Sequence, residues 1–524
     1  MRDFQAPGRS AVFATDGMCA TSHPLAAKVA LDLLQQGGNA VDAAIGAGVL
    51  LGLCEPQMTG LGGDCFVLMK PPGQERIVTL NGSGRAPAGA NAGVLRARGL
   101  SAVPVYGVES VTLPGAVDAF CRLGADWGRL GLADTLAPAI HYAEAGVPVA
   151  PRVAHDWAEI DHLQGAAKAH YLNAGAPLHA GQMFRAPGQA EALRRIARDG
   201  RAGFYEGEVA QDLIDSLRGL GGVHTLDDLA ATGCTYGDPI RSAYRGLDLF
   251  EHAPNGTGAV ASLILNILQH FDMASLDPLG PRRAHLEAEA TKLAYDARNR
   301  FIGDPDHTTR LAHMLAPETA AELAALIDPK RVLPDVAPLT EAIHRDTVYI
   351  TVVDRDRMAV SLIYSIFHGF GSGLASDKFG ILFQNRGAGF TLAEGHPNEM
   401  AGGKRPMHTI IPAMLGEGGR ITMPFGVMGG AYQPVGHARL LTNLRDHGMT
   451  LQAAIDAPRA FAEGGALALE TGYPSPTARA LADLGHKIVP SPGPRGGAQA
   501  IRIHDNGLLE GASDPRKDGC ALGY

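Results

Sequence analysis

The sequence has 524 residues, of which 46% are hydrophobic and 19% are charged, and its formal net charge is −9. This composition is typical of a globular protein and excludes a fibrous or disordered chain. No run of Lys and Arg is interleaved with aromatic residues, so a nucleic-acid surface is excluded as well.

The N-terminal segment lacks the apolar stretch of a signal peptide, and no later segment reaches about 18 consecutive apolar residues. The sequence therefore predicts a soluble, cytoplasmic protein without a membrane segment. The six cysteines have no CxxC spacing, which predicts free thiols rather than a disulfide framework.

Two consecutive helices are the first predicted elements, between residues 23 and 53. Apolar residues recur at helical spacing in both halves of this stretch. Gly37, Gly38 and Asn39 stand between the halves. A glycine that ends one helix, followed by an asparagine that caps the next, predicts a sharp corner.

Strands are predicted next, in the glycine-rich segments GLGGDCFVLM and ERIVTLNGSGRAP. Residues 117–330 alternate Ala-rich helical stretches with short polar connections, which predicts a mainly helical layer. Residues 347–353 have strand composition, residues 354–357 supply a polar turn, and residues 358–367 form a second strand pattern. Thr347 is therefore predicted to open a β-hairpin. The strands and helices that follow predict a layered sandwich.

Several blocks in the same order resemble the gamma-glutamyltransferase family over nearly the whole chain. They run from HPLAAKVALDLLQQGGNAVDAAIGAGVLLGLCEPQMTGLGGDCF to GASDPRKDGCALGY, with DTVYITVVDRD, FGSG, GILFQNRG, KRPMHTIIPAM and MGGAYQP between them. The internal blocks are most similar to a divergent branch that includes oxamate amidohydrolases and proteins labelled cephalosporin acylases.

The resemblance implies an α+β fold with four αββα layers, the N-terminal-nucleophile hydrolase sandwich. The precursor would cut itself between Asp346 and Thr347 into a large subunit, residues 1–346, and a small subunit, residues 347–524, which share one composite domain. Thr347 would then be the nucleophile, since its new α-amino group, with a pKa of about 7.7 to 8.0, is a base for the hydroxyl proton. In the uncut chain this nitrogen is an amide, so the precursor is expected to be an inactive zymogen.

Three further residues are implied to complete the catalytic group. Ser365 matches a second hydroxyl that hydrogen-bonds the terminal Thr in the family, and Gly429 and Gly430 match a pair whose backbone N–H groups form the oxyanion hole. On local sequence alone, Thr347 is equally typical of a β-branched strand residue. Ser365 is also typical of a buried serine that hydrogen-bonds the backbone. The glycine pair is also typical of an ordinary turn.

The residues that hold a glutamyl group in the family's glutathione-acting members are replaced in this chain. Ser83 matches the arginine that binds the α-carboxylate, and Arg85 lies two residues further on. The acidic pair expected just before Phe390 is absent, because the segment that begins at Arg386 reads RGAG. A pocket without an acid cannot neutralise a desolvated ammonium group. We therefore expect an acyl group that carries a carboxylate and no ammonium.

Candidate substrate-binding residues follow from this comparison. Arg386 and Arg85 offer bidentate sites for a carboxylate, although each is also typical of a surface or structural arginine. Phe367 matches a family asparagine, and His408 and Thr409 match a serine pair, of which Thr409 keeps a hydroxyl. We expect His408 to contact substrate or to pack through hydrogen bonds rather than to catalyse.

The predicted function is an amide hydrolase that forms a threonyl acyl-enzyme and acts on oxamate-like or dicarboxylic monoamides. The alternatives are an acylase for glutaryl or β-lactam side chains, a gamma-glutamyltransferase or glutathione hydrolase, and an inactive member that serves as a binding protein. Transfer to an amine and a homo-oligomer stay open. A dinucleotide site is disfavoured, because GLGGDC lacks the GxGxxG pattern.

No cofactor is predicted, and the expected partners are a small-molecule amide and the two fragments of one precursor. No metal is predicted either, because the histidines show no HxxxH spacing with a third ligand.

Overall fold

The computed structural model describes residue 5 and residues 8–333 and 347–524. The strands of these residues are, in chain order, β1 Val12–Ala14, β2 Met18–Thr21, β3 Asp64–Lys70, β4 Val78–Gly82, β5 Val147–Pro148, β6 Met183–Phe184, β7 Thr235–Gly237, β8 Ile240–Tyr244, β9 Leu247–Glu251, β10 Val348–Val353, β11 Ala359–Ser365, β12 Ala413–Glu417, β13 Arg420–Met428, β14 Ala460–Glu463, β15 Ala466–Leu469, β16 Ile488–Pro490, β17 Gly497–Ile503, β18 Leu509–Ser513 and β19 Cys520–Gly523.

The helices of the same residues are α1 Pro24–Gln35, α2 Ala40–Cys54, α3 Ala92–Ala97, α4 Ala116–Trp127, α5 Leu132–Ala145, α6 Pro151–Asp156, α7 Gly165–Tyr171, α8 Pro187–Asp199, α9 Ala202–Tyr205, α10 Gly207–Gly219, α11 Leu226–Ala230, α12 Gly258–Leu268, α13 Pro281–Phe301, α14 Leu311–Met314, α15 Pro317–Leu326, α16 Gln433–Arg445, α17 Leu451–Asp456 and α18 Ser475–Asp483.

Two seven-stranded sheets form the centre of the molecule. Sheet I has the order β1-β18-β17-β13-β12-β9-β8, and sheet II has the order β19-β2-β10-β11-β3-β4-β7. Buried side chains of both sheets meet in shared apolar clusters, so the sheets pack face to face. Helices α1, α2, α4 and α5 cover the outer face of sheet II, and α12, α13 and α16 cover that of sheet I. The predicted αββα layers are confirmed.

Strand β10 shows why an unbroken apolar run becomes a strand here. Its side chains alternate between two buried surfaces: Val348, Ile350 and Val352 join the cluster under the helices, whereas Tyr349 and Val353 face sheet I. A strand between two layers is buried on both faces, so the sequence lacks the usual apolar–polar alternation.

Strands from both sides of Thr347 are interleaved in both sheets. In sheet II, the hairpin β10–β11 lies between β2 and β3, which precede it in the chain by hundreds of residues. In sheet I, β12, β13, β17 and β18 lie between β1 and β9. Residues 1–346 and 347–524 are therefore not separate folding units in space.

The segment of residues 117–330 is mainly helical, as predicted, and it also contains short strands. Strands β8 and β9 form a hairpin whose buried and exposed residues alternate. Its turn is Arg245-Gly246, with φ of 47° and 86°, and two central residues with positive φ match the twist of a tight hairpin. Two strands of five residues beside an Arg-Gly turn give a weaker hydrophobic pattern in the sequence than the longer helices around them.

The predicted corner between the first two helices is confirmed. Asn39 caps α2 in a capping box with Asp42, and Gly37 has a φ of 99°. The buried Asp42 carboxylate also accepts the N–H groups of Arg129 at 2.9 Å and Leu130 at 3.2 Å. One side chain therefore holds both the start of α2 and the loop before α5.

Substitution Asp42→Ala is expected to lower the free energy of unfolding by about 3 kcal/mol, because it removes the acceptor of the N–H groups of Asn39, Arg129 and Leu130. Urea denaturation followed by circular dichroism measures the change. The matched control is Asp32→Ala on α1, whose side chain is 35% exposed and whose loss is expected to cost less than about 1 kcal/mol. Equal losses in the two variants would contradict the assigned role of Asp42.

Candidate active site

The hairpin of β10 and β11 brings Thr347 and Ser365 together. The register pairs Val348 with Tyr364, so the residue before β10 lies beside the last residue of β11. Thr347 Oγ1 is 3.3 Å from Ser365 Oγ, and both residues are 1% exposed. The two hydroxyls therefore form a contact that is shielded from bulk water. Asp346, the other half of the predicted cleavage site, lies outside the described residues.

Phe367 extends this contact in the direction of Arg386. The Phe367 backbone N–H donates to Ser365 Oγ at 2.9 Å. Its φ is 82°, a left-handed conformation that costs a residue other than glycine about 1 to 3 kcal/mol. The ring lies 3.4 Å from the Arg386 guanidinium carbon. The hydrogen bond to Ser365 and the stacking on Arg386 therefore hold Phe367 in a strained backbone conformation.

Arg386 is buried, with 1% of its surface exposed, and its Nη2 donates to Thr409 Oγ1 at 3.0 Å. The turn that carries it includes Gly387 and Gly389, where a Cβ would lie 2.7 Å from the carbonyl oxygens of Ser110 and Met407 respectively. Only glycine permits that approach. The structure therefore gathers Arg386, Thr409 and Phe367, all three predicted from the sequence.

His408 lies beside the same group and bonds a carboxylate that the sequence interpretation missed. His408 Nε2 donates to Asp64 Oδ2 at 3.0 Å, and both side chains are fully buried. Asp64 Oδ1 accepts the Gly84 N–H and the Gln384 side-chain amide, each at 2.8 Å. Asp64 is also the register partner of Ser365 across β3 and β11. His408 is therefore held by a buried hydrogen bond to Asp64.

Burial and the nearby positive charge of Arg386 lower the pKa of His408 to about 3. The imidazole is therefore neutral at neutral pH. The unfolded chain protonates this residue near its ordinary value of about 6.5, so unfolding takes up a proton between these two values. The stability that this group contributes is complete above about pH 6.5 and is lost as the pH falls toward 3.

Substitution His408→Gln is expected to flatten the pH dependence of stability between pH 6.5 and 4 by about 1.4 kcal/mol per pH unit, the share of one titrating group. Glutamine keeps an N–H donor for Asp64 but does not titrate. Denaturation curves at a series of pH values measure the slope. Substitution of the exposed His179 by Gln serves as the control. An unchanged slope in His408→Gln would show that the folded protein protonates His408 as readily as the unfolded chain.

Gly429 and Gly430 follow β13 directly, with φ values of 122° and 55°. A Cβ on Gly429 would lie 2.8 Å from the Gly496 Cα, so the backbone is packed too closely for another residue. The preceding Met428 shares a buried cluster with Tyr349, two residues after Thr347. The glycine pair therefore follows a residue that packs in the same cluster as the start of β10.

Ser83 and Arg85 flank Gly84, whose N–H donates to Asp64, the partner of His408. The Ser83 hydroxyl accepts the Asn255 side-chain amide at 3.0 Å. Arg85 donates to the Gly403 carbonyl at 2.8 Å, and its side chain is 38% exposed with Asp304 at 3.5 Å. Both residues have protein partners of their own.

A second buried arginine, which the sequence analysis did not single out, lies next to Ser83. Arg405 Nε donates to the Ser83 carbonyl at 2.9 Å. Burial, followed by the neighbouring charge of Arg85, lowers the pKa of Arg405 to about 10. The sequence feature that could have identified Arg405 was its position in the KRPMHT block.

Two general features complete the description of the site. The metal-ligand side chains that the described part of the chain gathers within 4.8 Å lie elsewhere, at His285, Glu289 and His486. Among the described residues, no helix is both long and apolar enough to span a bilayer.

Comparison with known proteins gives a consistent result. A family model described as gamma-glutamyltranspeptidase matches residues 26–524. The glutathione hydrolase-like YwrD proenzyme of Bacillus subtilis is 35% identical, over 98% of this chain and 99% of its own length. The oxamate amidohydrolase proenzyme of Klebsiella pneumoniae is 36% identical, over 97% and 99%. The crystal structure of cephalosporin acylase from Bacillus halodurans has a TM-score of 0.93 at 36% identity, and the match covers 100% of this chain and 99% of that one.

Proposed function

Because the chain belongs to the gamma-glutamyltranspeptidase family of enzymes, as its sequence blocks predicted, we propose that it is an autoprocessing amide hydrolase with Thr347 as its nucleophile. Cleavage between Asp346 and Thr347 would release the α-amino group and divide the chain into residues 1–346 and 347–524. The buried contact of Thr347 Oγ1 with Ser365 Oγ, at 3.3 Å, carries the proposal. The names of similar proteins as proenzymes support the cleavage.

The proposed reaction has two halves. In the first, the Thr347 amino group takes the hydroxyl proton while Oγ1 attacks the amide carbonyl carbon, and the Gly429 and Gly430 N–H groups stabilise the oxyanion. The C–N bond then breaks, and the leaving amine takes the proton from the ammonium group. In the second half, the amino group activates a water molecule, which attacks the ester and releases the carboxylic acid. Ser365 holds the nucleophile in line.

The preferred substrate is an acyl amide whose acyl group ends in a carboxylate. Arg386 supports this choice, because a guanidinium stacked on the Phe367 ring is held by its face, whereas carboxylates bind guanidinium by its edge. Asp64 already accepts hydrogen bonds from Gly84, Gln384 and His408. It is therefore not available to pair with an ammonium group on the substrate. The name of the oxamate amidohydrolase relative agrees with a small monoamide.

A substrate screen of the matured enzyme tests this preference. We expect ammonia release from oxamate and from succinic and glutaric monoamides. We expect at least about tenfold lower kcat/KM for a γ-glutamyl anilide and glutathione, because Asp64, the carboxylate beside His408, already accepts three hydrogen bonds. A glutathione hydrolase is the second candidate, favoured by the name of the Bacillus subtilis relative. Efficient γ-glutamyl turnover would select it over the first.

An inactive binding protein is the remaining alternative. It predicts one full-length chain and no turnover of any amide, whereas the enzyme predicts two fragments. N-terminal sequencing of the smaller fragment identifies the cut, which we expect to begin at Thr347. A different first residue would remove the proposed base and overturn the mechanism.

A further inference from the structure

A second group of chemically capable side chains lies outside the candidate active site. His285 and Glu289 are four residues apart on α13, so they share one face of the helix. His486, in the loop between α18 and β16, reaches them from the other side of Thr347 in the chain. His285 Nδ1 is 2.7 Å from His486 Nε2, and His486 Nε2 is 3.9 Å from Glu289 Oε1. All three residues are buried.

Backbone groups orient both ligands on α13. His285 Nε2 is 2.9 Å from the Asp328 carbonyl oxygen. Because a carbonyl oxygen only accepts, Nε2 carries the proton and Nδ1 presents its lone pair to the cluster. Glu289 Oε2 accepts the Leu333 N–H at 2.8 Å, which turns Oε1 toward the imidazoles. A histidine that donates its other ring N–H to a carbonyl is the usual outer-shell arrangement of a metal ligand.

We propose that His285, Glu289 and His486 bind a zinc ion. Two imidazole nitrogens and one carboxylate oxygen suit Zn²⁺, whereas Ca²⁺ and Mg²⁺ require mainly oxygen ligands. With ligand distances of about 2.0 to 2.2 Å, tetrahedral zinc needs the two nitrogens about 3.3 Å apart. The two nitrogens are now 2.7 Å apart, so the rings would have to move apart slightly to take up the ion. Water fills the fourth position.

The ammonium group of Lys292 occupies the position beside Glu289 that the ion would take. Its Nζ is 2.6 Å from Glu289 Oε1, and its side chain is 21% exposed while that of Glu289 is fully buried. A buried carboxylate requires a positive partner, and without metal the ammonium group supplies it. Zinc would displace Lys292, whose long stem reaches solvent. Lys292 is therefore a competitor of the metal.

The position of this cluster gives zinc a role in the cleaved molecule. His285 and Glu289 precede Thr347, and His486 follows it, so the ion would join the two fragments. This consequence rests on the proposed cleavage, but zinc binding does not, because the ligands already meet in the uncut chain. The sequence offered no HxxxH pair, since one ligand of α13 is a carboxylate and the third lies on a distant loop.

Metal analysis of the full-length protein tests the site. The protein is produced with added zinc, dialysed against metal-free buffer and measured by mass spectrometry. We expect about one zinc per chain in the wild type and in the uncut Thr347→Ala variant. His486→Ala and Glu289→Gln are expected to lose it, whereas His504→Ala, at a partly exposed histidine elsewhere, is expected to keep it. Cobalt loading is expected to give visible absorption bands in the wild type and none in His486→Ala or Glu289→Gln.

Lys292→Gln provides the sharpest comparison, because it removes the competing cation and keeps the ligands. We expect its zinc affinity, from competition with a chelating dye, to rise about tenfold. Wild-type protein that retains no zinc, shows no cobalt bands and gains nothing from Lys292→Gln would overturn the proposal and leave a His–His hydrogen bond beside a Lys–Glu ion pair. Zinc retained equally by His486→Ala and Glu289→Gln would overturn it too. Failure of cleavage with zinc bound would instead count against the proposed function.

Discussion

A chain with alanine in place of Thr347 is expected to remain one full-length band on a denaturing gel and to lose amide hydrolysis by at least about 10⁴-fold. The substitution removes the Oγ1 atom that attacks both the chain's own peptide bond and the substrate, and loss of a nucleophile has effects of this size. Incubation of the purified variant for days, followed by electrophoresis and an ammonia assay, measures both results.

Two matched variants separate the role of the hydroxyl from simple packing. Thr347→Ser keeps the nucleophilic oxygen and is expected to cleave and retain measurable activity. Ser365→Ala removes the partner at 3.3 Å and is expected to lower kcat by about 10- to 100-fold, equivalent to one hydrogen bond of about 1.5 to 3 kcal/mol. Cleavage and turnover in Thr347→Ala would refute the assignment, and an inactive Thr347→Ser would point to a packing defect instead.

Local patterns were sufficient for the elements that carry the proposed nucleophile. Strand composition on both sides of a polar turn predicted the hairpin, and the hairpin alone determines that Thr347 meets Ser365. The corner at Asn39 followed in the same way from a glycine stop and a cap. Each of these features depends on residues close together in the chain.

The missed features depend on pairings between distant residues. Asp64 stands in a glycine-rich segment with no local sign of function, and it becomes part of the site only because β3 pairs with β11. The proposed zinc ligands meet only because α13 packs against a loop near the C-terminal end. Loop closure over such separations leaves no periodic trace in the sequence, so only the fold reveals them.

The resemblance to the family could not distinguish two arginines that lie in different environments in the structure. It marked both Arg85 and Arg386 as candidate carboxylate sites. The structure distinguishes them: Arg85 is partly exposed beside Asp304, whereas Arg386 is buried between Phe367 and Thr409. A buried charge interacts more strongly with a substrate, because little water screens it.

Arg386→Met is therefore expected to lower kcat/KM for a carboxylate-bearing amide by about 100- to 1000-fold, a loss of about 3 to 4 kcal/mol for a charge-assisted bidentate pair. Methionine keeps the length and the contact with the Phe367 ring, so the site stays packed. Initial rates with a dicarboxylic monoamide and with its uncharged diamide measure the effect. We expect kcat/KM to fall for the charged monoamide and to stay unchanged for the uncharged diamide.

The control for this prediction is Arg85→Met, which is expected to stay within about threefold of the wild type, because its charge is screened by solvent. The two-fragment pattern on a gel shows that each variant still matures. Equal losses on the charged and uncharged substrates would mean that Arg386 supports the fold rather than the carboxylate. A loss confined to Arg85→Met would move the carboxylate site to the group formed by Arg85, Ser83 and Arg405. That outcome would reopen the choice of substrate.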